Sequence, residues 1–120
     1  MRVKCIANSL GRARFGIDLG REYLVLALEA YAGDPAWLPP GLMVFVGREN
    51  GHAHVPISCL EIVDPNAGRG WQVGRVHDRW LIGYPFMLSE AFQIGLERGD
   101  DPEFRKKYRE LLRHALDDSK

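Results

Sequence analysis

The sequence predicts an α+β domain: a small, strongly bent antiparallel sheet or β-barrel over residues 1–84, closed by two helices over residues 85–118. Three observations predict it. Up to Tyr84 the apolar residues fall in short runs bounded by Gly, Pro and Asn clusters, as half-buried strands require. Asn50-Gly51 stands between two such runs, and that dipeptide suits a two-residue hairpin turn because both positions need positive φ. Beyond Pro85 the apolar spacing changes to a period of 3.6. The 120 residues suffice for one domain with a real core.

Arg2 to Ala7 alternates Val3, Cys5 and Ala7 against Arg2, Lys4 and Ile6, the pattern of a strand. Asn8-Ser9-Leu10-Gly11 breaks it. Gly16 and Gly20 bracket a turn, and Glu22 to Tyr31 reads as a strand with Leu24, Leu26 and Leu28 on one face. Residues 33–41 form a loop, because Pro35, Pro39 and Pro40 cannot donate to a ladder. The hairpin pairs Leu42 to Glu49 with His52 to Ile57. A tight turn then leads to a short strand, Leu60 to Val63. After the loop Asp64 to Gly70, a second hairpin joins Trp71–Val76 to Trp80–Tyr84 through His77-Asp78-Arg79.

The first helix is expected from about Leu88 to Arg98, capped by Ser89 and ended by Gly99. Asp100 or Asp101 caps the second, with Pro102 in its first turn, where a missing N–H costs nothing. Phe104, Tyr108, Leu111, Leu112 and Ala115 make its apolar stripe, which must pack on the sheet.

Composition narrows the function classes. Sixteen basic residues balance sixteen acidic ones, and a dedicated nucleic-acid binder ordinarily carries a basic excess. The basic groups Arg2, Lys4, Arg12 and Arg14, and Arg105, Lys106, Lys107 and Arg109, read as solvated faces that leave a nucleic-acid-associated module as the alternative. No stretch resembles a signal peptide, and the longest apolar run, Leu24 to Leu28, falls far short of the roughly 20 residues that cross a bilayer. Cys5 and Cys59 are read as reduced, partly buried thiols, and the expected compartment is the cytoplasm.

No catalytic constellation emerges. Ser58 and Cys59 lack a strand-turn-helix elbow. His52 and His54 would share one side of a strand, but a metal site needs further ligands, so they read as exposed hairpin histidines. No phosphate-binding glycine motif occurs. No catalytic, cofactor-binding or metal-binding residue is therefore expected, and no cofactor. Trp71 and Trp80 read as core or cross-strand residues. Asp34, Trp37 and Glu61 are the candidate partner-binding residues, chosen by residue type and loop position.

Residues 20–64 resemble an SH3-type barrel. Leu19 to Val25 resembles its opening turn and strand, and Gly51-His52-Ala53-His54-Val55-Pro56-Ile57-Ser58-Cys59-Leu60-Glu61-Ile62-Val63-Asp64 its closing segment. The chain lacks the tyrosine after the Pro-Ser turn and the preceding Ala-Leu-Tyr-Asp strand, which speaks against an aromatic groove for Pro-rich peptides. The whole chain is similar to a family of small, largely uncharacterised bacterial proteins, some proposed as toxin immunity proteins. That similarity rests on Val3-Lys4-Cys5-Ile6-Ala7-Asn8, Leu19-Gly20-Arg21-Glu22-Tyr23, Leu60 to Asp64, Trp71 and Gly83-Tyr84-Pro85-Phe86. It continues through Phe92, Leu96, Gly99-Asp100-Asp101 and Phe104 to Tyr108. It implies a non-catalytic protein-binding domain whose partner is a protein, in the sharpest form a toxin. No nucleic acid and no membrane enter that expectation.

Overall fold

In the computed structural model, residues 1–10, 13–31, 41–49, 51–76, 79–98 and 102–118 are described. The chain is α+β: an antiparallel sheet of several strands followed by two C-terminal helices. The strands are β1 (Arg2–Cys5), β2 (Ser9–Leu10), β3 (Ala13–Arg14), β4 (Glu22–Tyr31), β5 (Gly41–Arg48), β6 (Gly51–Pro56), β7 (Leu60–Asp64), β8 (Gln72–Val76) and β9 (Arg79–Gly83). Two short 3-10 turns, Ile57–Cys59 and Pro85–Leu88, precede β7 and the helices α1 (Glu90–Arg98) and α2 (Pro102–Asp118).

Strand β4 is the axis of the sheet. One of its edges pairs with β5 from Val25↔Val46 to Tyr31↔Gly41. The other is shared: Glu22 to Leu24 pairs with β1, and Ala27 to Glu29 with β9. The main path runs β6-β5-β4-β1-β7, while β9 and β8 branch from the second half of β4. Gly83 makes the branch possible. It lies opposite Ala27, where a Cβ would run into the Leu26 carbonyl oxygen and the Ala27 side chain. The Tyr84 N–H then donates to that Leu26 carbonyl at 2.9 Å.

A register shift between Val25 and Ala27 inserts Leu26 as an extra residue and reverses the alternation of faces. Tyr23 and Val25 belong to one apolar core with Val3, Val44, Val46 and Val55. Leu24, Leu26 and Ala27 belong to a second, with Phe45, Leu81, Met87, Phe92, Tyr108 and Ala115. The expectation that Leu24, Leu26 and Leu28 share a face is therefore corrected: past the bulge, Leu28 packs against the first core.

The barrel or strong bend expected from the sequence does not form. The sheet is open, and β6 and β7, at the ends of the main path, are not laddered to each other. A sheet hides its apolar faces by closing on itself or by taking a second layer. Here the helices supply the layer over the second core.

The hairpin β5–β6 forms with a different register from the one expected. Arg48 lies opposite Gly51, so positions 49 and 50 separate the strands and Gly51, at φ 142°, begins β6. Asn50 itself lies outside the described residues, as do His77 and Asp78 of the second hairpin and Gly99, Asp100 and Asp101 between the helices. The cap at Ser89 forms: its Oγ accepts the Phe92 N–H at 3.2 Å. The α2 stripe packs as expected, with Tyr108 and Ala115 buried and Phe104, Leu111 and Leu112 half-buried around them.

Candidate interaction surface

The β8–β9 hairpin buries one face and shows the other. Val76, Leu81 and Tyr84 point to the helices and join the second core. On the opposite face the register sets Val73 beside Ile82 and Arg75 beside Trp80. Ile82 in turn lies beside Leu28 of β4. Strand parity places all of them on one surface. Val73 is 64% exposed, Trp80 61% and Ile82 41%. One step along β4, exposed Ala30 lies opposite Leu42, itself 41% exposed. The result is a run of neighbouring apolar side chains across four strands, on the side of the sheet away from the helices.

Scattered exposed apolar residues are ordinary, but a contiguous patch of aromatic and β-branched side chains marks a contact surface. The Arg75 guanidinium lies 5.7 Å from the Trp80 ring centroid, so the cation sits over the aromatic face. Trp and Arg are the residue types most enriched among binding hot spots. Trp71 is the contrasting case. It is half-buried, packs edge-on against Tyr84 at 6.1 Å between centroids, and serves both cores as expected.

Of the candidate partner-binding residues, Asp34 and Trp37 lie outside the described residues. Glu61 is exposed on β7, opposite Lys4 of β1, and belongs to neither β8 nor β9. The sequence reading missed Trp80 as a surface residue. In Arg79-Trp80-Leu81-Ile82 both parities carry a large apolar residue, so alternation alone could not decide which face is wet.

A second cluster lies on the helix side of β4–β6. Glu29 is buried, with Oε1 3.1 Å from Arg79 Nη1 and 3.4 Å from His54 Nε2. Burial works to raise the Glu29 carboxyl, but His54 and Arg79 outweigh it and hold it below its ordinary value. His54 stacks on Phe45 with centroids 4.2 Å apart, and His52 tilts against the same ring at 5.4 Å. The two histidines are thus half-buried supports of the sheet, not the exposed pair expected. Burial first, then the neighbouring His54 and Arg48 charges, push His52 down to about 4, so it is neutral at pH 7. Among the described residues no group of three or more His, Cys, Asp or Glu is arranged to hold a metal ion.

Cys5 and Cys59 are both buried free thiols. Burial raises the pKa of each, the opposite of what a nucleophile needs. Among the described residues no helix is long and apolar enough to cross a membrane.

Compared with protein-family models, with curated proteins and with solved structures, the chain finds no match.

Proposed function

We propose that this chain is a non-catalytic protein-binding domain that meets its partner through the exposed β8–β9 face. The observation that carries the proposal is the contiguous set Val73, Trp80 and Ile82, left in water with Arg75 over the tryptophan ring. Leaving this surface in water forfeits about 25 cal/mol for each Å² of apolar area, which a partner would recover. A tryptophan also brings large contact area at little cost in side-chain entropy. The partner is a protein, and the sequence resemblance makes a bacterial toxin its sharpest form, bound and covered in the cytoplasm.

An SH3-like unit made of β1 and β4–β7 is the scaffold in this proposal. The strand order β6-β5-β4-β1-β7 and the 3-10 turn between β6 and β7 support it. The β8–β9 hairpin is then an addition to that unit, and the addition carries the binding face.

The test is affinity capture from nuclease-treated lysate of the source organism with wild-type and Trp80→Ala protein side by side. A protein held by the wild type and lost from the folded variant supports the proposal. Equal capture by both moves the binding surface elsewhere, and loss of all partners on nuclease treatment favours nucleic acid.

A further inference from the structure

A groove of about 330 Å³ lies between α2 and the end of β5, lined by Glu49, Arg109, Leu112, Arg113 and Leu116. Its walls are firmly joined. The Tyr108 hydroxyl accepts the Arg48 N–H at 3.1 Å, and a Cβ on Gly47 would come within 2.7 Å of Leu112 Cδ1, so β5 and α2 meet at close range. Leu112 and Leu116 are half-buried and form an apolar floor. Arg109 and Arg113 stand one helical turn apart and are exposed. Other arginines here are engaged: Arg21 pairs with Asp18, Arg79 with Glu29, and Arg48 donates to Gly16 and His52 carbonyls. Among the described residues the side chains of Arg109 and Arg113 have neither an ion pair nor a hydrogen bond, and Glu49 on the facing wall lies beyond ion-pair distance of both.

We propose that this groove binds a small amphipathic carboxylate. The apolar body lies on Leu112 and Leu116, and the carboxylate is held by Arg109 and Arg113. An apolar floor with a few placed polar groups is the make-up of small-molecule sites, and the volume falls at the lower end of their range. At about 30 Å³ for each water-sized group there is room for roughly ten non-hydrogen atoms. Two guanidiniums one turn apart suit a carboxylate, because each presents a planar fork of donors. Glu49 sets the charge of the ligand: a single negative charge is held by two cations, whereas a dianion would meet the Glu49 carboxylate. The site is on α2, across the sheet from the β8–β9 face, and does not depend on the protein-binding proposal.

The probe is octanoate, with neutral 1-octanol as its control, titrated into the full chain and followed by two-dimensional amide NMR. Octanoate is expected to give saturable shifts confined to Gly47–Glu49 and Arg109–Leu116, and to bind about tenfold more tightly than octanol, the worth of a charge-assisted contact. The double variant Arg109→Gln with Arg113→Gln is expected to bring octanoate down to the level of octanol. Glu49→Gln is expected to tighten octanoate about two- to threefold by removing a like charge. All three side chains are exposed, so the variants should keep the wild-type amide spectrum outside the groove. Absence of saturable shifts, equal binding of acid and alcohol, or undiminished binding by the double variant would each overturn the proposal.

Discussion

His52 should make this fold acid-sensitive in a window set by one side chain. The neutral imidazole is favoured in the folded chain, where burial and the adjacent His54 and Arg48 push it from 6.5 to about 4. The unfolded chain therefore binds one more proton than the folded chain between those values. Stability from this group is complete above about pH 6.5 and falls as the pH drops towards 4. One proton of difference is worth about 1.4 kcal/mol for each pH unit, and integration from pH 7.5 to 4.5 gives about 2.5 kcal/mol. Glu29 acts lower: its carboxyl is held below 4.5, so its contribution is present above that value and is lost only as the pH falls through its depressed one. Urea unfolding of wild type and His52→Gln at pH 7.5, 6.0, 5.0 and 4.5 separates the two. The variant should lose about 2.5 kcal/mol less than the wild type across the series. A variant that loses as much as the wild type, or an imidazole NMR titration of His52 centred near 6.5, would refute the reasoning.

Three further outcomes follow from the packing. Gly83→Ala should destabilise the fold by about 3 kcal/mol in urea unfolding, because its Cβ meets the β4 backbone, which cannot step aside. Retention of wild-type stability would mean that β9 does not lie against Ala27. Tyr108→Phe removes the acceptor of the Arg48 N–H and should cost about 1–2 kcal/mol, seen as a lowered urea midpoint and faster exchange of that amide. Glu29→Ala strips Arg79 and His54 of their shared carboxylate and should cost about 2–3 kcal/mol at pH 7, with the deficit shrinking in acid.

The sequence carried the elements because their signals are local. Val3 and Cys5 alternate with exposed neighbours, Ser89 caps α1, and the Phe104 to Ala115 stripe has the helical period. What it hid depends on distant pairing. The extra residue at Leu26 exchanges the faces of β4, and nothing in Glu22 to Tyr31 marks it, since both parities there are apolar. The branch at Gly83 needs β4 to offer half an edge, which only the completed sheet reveals. The Asn50-Gly51 signal found the right hairpin but set the turn one position too late, because Arg48 pairs with Gly51 and not with Ala53. The candidate surface was hidden for the same reason: Trp71 and Trp80 look alike in sequence, and only the folded sheet puts Trp71, just before β8, between two cores and Trp80 of β9 in water.

The measurement that bears most directly on the binding face is the equilibrium affinity of the captured partner for wild type and for Trp80→Ala. Trp80 lies outside both cores, so the variant should keep the wild-type urea midpoint within about 0.5 kcal/mol. Its affinity should fall at least about 30-fold, the equivalent of 2 kcal/mol for a central tryptophan. An affinity within about twofold of wild type, with the fold intact, would contradict a partner seated on β8–β9.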